Sequence, residues 1–522
     1  MKKKMGMKLN QSCNDIFLYN RQQDKRADLS MWFVFPGPES FALSSLGYLW
    51  LYKQIDETHS INIERVYSDT TSTVLHKESI DLIAFSLSFD MDFIEILRFM
   101  EKNQYPFKSE QRNDSIPLMY AGGPVITANP RLYDKIFDFM VIGDGEDINI
   151  EIANILKNCK NKTKKEKLTL LANIEGIYVP SLKQKSINKI TKKIPKCIYT
   201  PIISENAYFK NTFIIEVERG CANRCGFCLA SYINLPIRFV PKEEIISAIE
   251  LGLKHTNKIA LLGAQVTAHP DFEEICRYIH NKIKNGEHIE IGVSSLRVDS
   301  FKQEIVQTLV DAGQKNLTLA IEAGSERLRN VINKNLTESQ IFKAIDVAKN
   351  CGLKGIKFYG MIGIPTETEE DIKEIIALAS KIKTKYKGMS FSFGFSTFVP
   401  KPNTPFQWIG RQDEKILENK SNYLKKELHK LGMQASISSP KWDYYQAVLS
   451  RGDANLTDYL IDVYKLGGKL GAFKKAAKMH NIDTNYYAQA DFDYYSPLPW
   501  DIININPGKE FLINECKKLL NY

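Results

Sequence analysis

No apolar run in this 522-residue chain approaches the length needed to span a bilayer, so contact with a membrane is not expected. The opening Met1-Lys2-Lys3-Lys4-Met5 is basic, but Gly6 to Asp15 is polar and lacks the apolar stretch of a secretory signal. There is no internal repeat and no heptad pattern. Cysteine is sparse and forms no even framework, which argues against a disulfide-stapled scaffold and for a reducing, cytoplasmic setting. Six of the nine cysteines (Cys13, Cys159, Cys197, Cys276, Cys351 and Cys516) stand alone and read as ordinary thiols, mostly buried. Gly143-x-Gly145 lacks the third glycine of a dinucleotide fingerprint and reads as a tight turn.

What is present is an α/β chain of more than one domain. Hydrophobic content of 43% with 25% charged residues is that of a globular protein. The net charge of +9 is concentrated in residues 157–196, which carry Lys160, Lys162, Lys164, Lys165, Lys167, Lys192, Lys193 and Lys196. Such a segment can attract RNA through counterion release. No aromatic stacking pattern accompanies the lysines, so a solvated linker is the preferred reading.

Residues 1–30 read as a polar extension. From Met31, strands alternate with helices. Strands are expected at Met31–Phe35, Ile61–Tyr67, Asp81–Ser88, Pro117–Ala121 and Phe137–Ile142, with helices at Ser40–Lys53 and Phe93–Glu101 and after Glu146. This rhythm predicts a doubly wound parallel sheet over residues 31–156. A basic linker, 157–205, would follow. A second and more regular rhythm fills 206–400, with strands at Thr212–Arg219, Lys258–Gly263, His288–Val298, Asn316–Gly324, Gly355–Gly363 and Met389–Pro400. Pro241 precedes a helix over Lys242–Leu253, and Thr337-x-x-Gln340 and Thr366-x-x-Glu369 have capping-box spacing. Six strand–helix repeats predict an open, partial (β/α)6 barrel, with its chemistry at the carboxyl ends of the strands. Residues 401–522 depart from the rhythm and read as a small α+β region.

The most informative motif is Arg219-Gly220-Cys221-Ala222-Asn223-Arg224-Cys225-Gly226-Phe227-Cys228, immediately after the first barrel strand. Nine cysteines scattered over the chain would give about 0.003 such triples by chance. A zinc site needs a fourth ligand, and no further Cys or His occurs until His255. Three thiolates on one loop suit a cubane iron–sulfur cluster that keeps one iron free for a small molecule.

The string Cys221-x3-Cys225-x-Phe227-Cys228 resembles the radical S-adenosylmethionine (SAM) superfamily. Further likeness lies in Ser294-Ser295-Leu296-Arg297-Val298-Asp299, Glu322-Ala323-Gly324-Ser325-Glu326-Arg327, Met361-Ile362-Gly363-Ile364-Pro365-Thr366 and Phe398-Val399-Pro400-Lys401-Pro402. These are similar to strand-end motifs of a branch related to the methylthiotransferases. In that branch a cobalamin-binding-like domain precedes the barrel. Ala121-Gly122-Gly123-Pro124, Ile142-Gly143-Asp144-Gly145-Glu146 and Leu498-Pro499-Trp500-Asp501 resemble its other landmarks.

The resemblance implies a [4Fe-4S] cluster on Cys221, Cys225 and Cys228 and reductive cleavage of SAM to methionine and a 5′-deoxyadenosyl radical, which abstracts hydrogen from a substrate. It implies an electron donor such as flavodoxin or ferredoxin and an unidentified substrate, RNA or protein. Phe227 would lie near the adenine or pack under the loop. Gly263-Ala264-Gln265 stands where many relatives carry Gly-Gly-Glu, which receives the SAM amino group; here the acid is missing, and Gln265 could still accept a hydrogen bond. Ser294 suits ribose and Arg297 suits the SAM carboxylate. Glu322 could bind ribose hydroxyls or the amino group, Ser325 opens the following helix, and Gly363-Ile364-Pro365 would let backbone approach adenine.

Cobalamin is possible but not favoured, because none of the histidines (59, 76, 255, 269, 280, 288, 429 and 480) stands in a D-x-H-x-x-G setting. An auxiliary cluster is not expected either, because no cysteine lies between Cys13 and Cys159. The enzyme reading competes with a cobalamin-dependent radical methyltransferase, with a non-catalytic iron–sulfur electron carrier and with an RNA-binding protein. An electron carrier has no need of the strand-end motifs.

Overall fold

The computed structural model describes residues 15–21, 27–58, 61–68, 80–194, 196–294 and 296–521. Cys13, His59, His76, Ser295 and most of the 1–30 extension lie outside them.

The first sheet has six strands, in the order Ile61–Tyr67, Leu29–Phe35, Leu82–Ser86, Leu118–Gly122, Phe139–Val141 and Ile177–Tyr178. The first five are parallel and the last is antiparallel. A parallel sheet is buried on both faces, which is why Leu29–Phe35 (LSMWFVF) is almost wholly apolar. Its side chains nevertheless alternate between two cores. Met31 and Phe33 pack toward the helices Leu46–Asp56 and Ile148–Lys157. Trp32 and Val34 pack toward Phe93–Lys102 and toward Tyr445, Val448, Tyr459 and Phe473 of the C-terminal region. Helices from the end of the chain thus cover half of the first sheet.

Two details of this half differ from expectation. The helix read over Ser40–Lys53 is broken at Leu43–Ser45 into Glu39–Ala42 and Leu46–Asp56. The stretch read as a basic linker carries a capped helix, Lys164–Leu171, and the sheet's edge strand, Ile177–Tyr178. Thr163 and Glu166 form a capping box there, and Lys164 Nζ lies 2.7 Å from the buried carboxylate of Asp138.

The second unit is an open barrel of parallel strands. Thr212–Glu216, Lys258–Leu262 and Glu290–Val293 form one sheet. Asn316–Glu322, Gly355–Ile362, Ser390–Thr397 and Gln434–Ile437 form another. A bridge between Leu296 and Leu319 joins them. The partial barrel holds, and it is longer than expected. Gln434–Ile437, read as part of the C-terminal region, is a seventh strand entered through the helix Glu414–Lys430. The capping box expected at Thr366 sits two residues later, at Thr368 and Asp371, because Thr366 occupies the left-handed turn that precedes it (φ 68°).

The two units are tied by buried polar contacts. Lys401 Nζ reaches Asp90 at 2.5 Å, and Asp90 also accepts from Gln446 and Ser450. Burial alone would raise the Asp90 carboxyl, but Lys401 and the two neutral donors hold it below its ordinary value. Asp90→Ala leaves the partly buried Lys401 ammonium without its anion, with the Ser450 hydroxyl still beside it. The expected loss is about 1–3 kcal/mol, read as a lowered guanidinium midpoint; an unchanged midpoint would mean that the pair contributes nothing to the junction.

Candidate metal centre

The cysteine loop leaves the barrel on a short ribbon in which Glu218–Arg219 pairs antiparallel with Arg238–Phe239. Gly220 turns the chain at φ 95°, where a Cβ would strike the Asn234 carbonyl at 2.7 Å. Cys221 and Cys225 are buried and Cys228 is half-buried. The loop is gripped from several sides. Asn333 donates its amide to the carbonyls of Asn223 (3.0 Å) and Arg224 (3.1 Å), and the Tyr232 hydroxyl donates to the Arg224 carbonyl. Gly226 donates to the Ile332 carbonyl and accepts from Phe406 N–H. A Cβ at Gly226 would meet Phe406 at 2.8 Å and Leu519 at 2.9 Å, so the C-terminal helix Lys509–Leu520 presses directly on the loop.

Among the described residues no three His, Cys, Asp or Glu side chains converge closely enough to hold one ion. A cubane takes its protein sulfurs on different irons, so its ligands stand wider apart than those of a single ion. The surroundings suit an anionic thiolate-bound group. Burial pushes the Cys225 thiol up to about 12, while the Lys334 ammonium and Arg297 pull it down. Such a thiol keeps its proton until a metal displaces it.

The structure sorts the expected site residues into three groups. Gln265, Gly263, Ser294, Arg297 and Glu322 cluster around the loop. Gln265 Oε1 accepts from the Asn223 amide, which also reaches Cys221 Sγ at 3.4 Å. The Ser294 hydroxyl donates to the Gly263 carbonyl at 3.1 Å. Arg297 makes a bidentate pair with Asp299 and donates to the Lys334 carbonyl; its Nη1 is buried without a partner among the described residues. Glu322 ends its strand at a bulge with φ 64°, and its carboxylate takes the Lys334 ammonium at 3.1 Å. Phe227 joins Glu322 on the wall of a cavity of about 540 Å³, whose other walls include Tyr359, Ser396 and Ser438. Ser325 and Ile364 stand apart. The Ser325 hydroxyl is committed to its helix cap and to Asp371, and the Ile364 side chain is fully buried in the core under the loop.

Three features here were missed by sequence reasoning. Ser436, Ile437 and Ser438 line the cavity from a strand that was read at Met433–Ser438 but assigned to the C-terminal region rather than to the barrel. Asp144 and Glu146, read as turn residues, bind the loop's stem: Arg219 pairs with Asp144 (3.0 Å), Glu146 (2.6 Å) and Glu216 (2.8 Å), and Arg238 pairs with Asp144 (2.5 Å). Burial would raise the Asp144 carboxyl, yet the two guanidiniums keep it below its usual value. The third is Glu218, which is 2% exposed. Its Oε1 accepts the Gln265 backbone N–H, and its Oε2 is buried without a partner.

Burial pushes Glu218 up to about 7, only partly offset by the Gln265 amide. An acid whose folded-state value exceeds its unfolded value loses stability as pH rises between the two, here from about 4.5 to about 7. Glu218→Gln removes that penalty. Its melting temperature should exceed that of the unsubstituted protein at pH 8, with the gap closing below pH 5. An equal gap at both pH values would contradict the burial argument.

Residues 215–379 match the family model of the radical SAM superfamily, and residues 47–180 match that of the N-terminal part of radical SAM proteins. An uncharacterized protein of Methanocaldococcus jannaschii is 30% identical over 435 residues, which is 82% of this chain and 89% of that one. A tRNA-2-methylthio-N(6)-dimethylallyladenosine synthase of Hydrogenobaculum is 25% identical over 261 residues, 48% of this chain and 56% of that enzyme. In fold, the chain is similar to the cobalamin-dependent SAM radical enzyme OxsB (TM-score 0.54, 12% identity, 94% of this chain and 80% of that one). It is also similar in fold to the radical SAM methyltransferase TsrM from Kitasatospora setae (TM-score 0.50, 13% identity, 70% and 72%). The sequence matches run through the cysteine loop and the strand ends that surround it. On those grounds the protein belongs to the radical SAM superfamily, whose enzymes work with a [4Fe-4S] cluster and SAM.

Proposed function

We propose that Cys221, Cys225 and Cys228 hold the [4Fe-4S] cluster and that this enzyme abstracts hydrogen from an RNA substrate without cobalamin. When bound, the cluster supplies the electron that cleaves SAM to methionine and a 5′-deoxyadenosyl radical. The observation that carries the reading is the cysteine loop locked at the carboxyl ends of the barrel strands, beside a buried guanidinium N–H with nothing to bind. Arg297 Nη1 is poised for a carboxylate, and Asp299 fixes the rest of its fork. Lys334 offsets negative charge at the loop while tethered to Glu322. Glu322 and Phe227 place a polar and an aromatic group on the same cavity, where ribose and adenine would be recognised. The loop's packing under Phe406 and Leu519 excludes water from its far side.

RNA is supported by two observations. Relatives bear the names of tRNA-modifying enzymes. The cavity also exposes Tyr359, 42% accessible, with the Lys357 ammonium 4.9 Å above its ring. An aromatic face beside a cation suits an unstacked base.

Cobalamin-dependent methyl transfer is the second reading, favoured by the likeness of fold and by a relative of Pyrococcus horikoshii named as an uncharacterized methyltransferase. The first sheet has the strand order in which ligands bind at the carboxyl ends, and a crevice lies there. It measures about 300 Å³, far less than a corrin with its nucleotide tail, and no histidine lines it among the described residues. Arg219, Asp144 and Glu146 are on its walls and are paired with one another.

Anaerobic reconstitution with iron and sulfide tests these assignments together. The expected product contains four irons, releases 5′-deoxyadenosine with SAM and a strong reductant, and keeps no cobalt absorption band after exposure to hydroxocobalamin and desalting. Cys221→Ala, Cys225→Ala or Cys228→Ala should each abolish cluster and cleavage; a Cys225→Ala protein that still cleaves SAM overturns the ligand set. RNA from cells lacking the enzyme should accelerate 5′-deoxyadenosine release, and stimulation by protein but not RNA would overturn the substrate class.

A further inference from the structure

We infer that Glu218 supplies the anion that binds the ammonium of SAM, in place of the acid missing from Gly263-Ala264-Gln265. The inference rests on the SAM-binding reading above and adds a residue that no sequence motif marks.

The argument is one of unmet partners. Glu218 is 2% exposed, yet its Oε2 has no hydrogen-bond donor among the described residues, whereas buried carboxylate oxygens are normally satisfied. Its surroundings connect it to the cysteine loop. Oε1 holds the Gln265 backbone N–H, the Gln265 side chain holds Asn223, and Asn223 reaches Cys221. A Cβ at Gly263 would strike Glu218 Cγ at 2.5 Å, so the absence of a side chain at 263 is what lets the carboxylate occupy this turn. Arg297 Nη1, the second unpartnered charged group, belongs to the same neighbourhood, since Ser294 of its strand-end loop bonds to Gly263.

An α-amino acid presents one ammonium and one carboxylate. The site offers one orphaned carboxylate oxygen and one orphaned guanidinium N–H, opposite in charge and matched in number. Gln265 then acts through Glu218 and Asn223 and is a positioning residue.

The test compares SAM with its deaminated analogue, in which hydrogen replaces the α-ammonium, by anaerobic equilibrium dialysis against the reconstituted, oxidised protein, where no turnover occurs. The unsubstituted protein should prefer SAM. In Glu218→Gln that preference should fall by about 10- to 100-fold, mostly through weaker binding of SAM, with the cluster's absorption spectrum unchanged. Adding Gln265→Glu to Glu218→Gln, which returns an acid to the same turn, should restore part of the preference. A Glu218→Gln protein that keeps the full preference overturns the inference and leaves the cofactor reading standing. An unsubstituted protein that binds neither ligand overturns the cofactor reading itself, and the inference with it.

Discussion

The arrangement depends on one guanidinium. Arg219 stands two residues before Cys221, and its fork is divided among Asp144 and Glu146, in the loop that follows the first-sheet strand Phe139–Val141, and Glu216 of the first barrel strand. A charge this deep is tolerated only while its partners are in place, and it fixes their positions in return. Arg238, on the other strand of the ribbon, holds the second oxygen of Asp144. The stem of the cysteine loop is thereby referenced to two sheets at once. Lys401 and Asp90 repeat the device at the far junction, so the barrel is held to the first sheet at two separated points.

This gives the first sheet a role of its own in holding the loop's stem. Its strand ends carry acids that point at the loop's stem, and its other face is covered by helices that follow the barrel in sequence. The sheet is a mechanical part of the centre, whatever else its crevice receives. The N-terminal family match over residues 47–180 spans the segment that carries Asp144 and Glu146.

Much of this could be read from the residues, and the failures have physical causes. Local signals did well: the Lys242–Leu253 helix and the Ile61–Tyr67 strand lie where periodicity puts them. Six barrel strands and the cysteine loop after the first were legible because apolar runs and breakers are local. The seventh was legible as a strand, Met433–Ser438, but not as part of the barrel, because only its parallel pairing with Ser390–Thr397 assigns Gln434–Ile437 to that sheet. The linker reading failed because Lys164 looks solvated in sequence while its partner, Asp138, lies 26 residues away. Ser325 was read as opening a helix, and its hydroxyl is consumed by that cap. That Arg297 keeps a free N–H among the described residues is visible only to hydrogen-bond accounting. Glu218 escaped notice for the same reason: a glutamate beside an arginine suggests an ion pair, whereas Arg219 turns to other acids.

The pressure of Leu519 and Phe406 on Gly226 also has a bearing on biosynthesis. The helix that packs against the cysteine loop, Lys509–Leu520, leaves the ribosome about 280 residues after it. At roughly 5–20 residues per second, the nascent chain carries the loop without that helix for tens of seconds. Oxygen, copper and stray zinc have that long to compete for the sulfurs before the helix arrives. On the proposed assignment of these thiols, cluster delivery is best timed to the completed polypeptide.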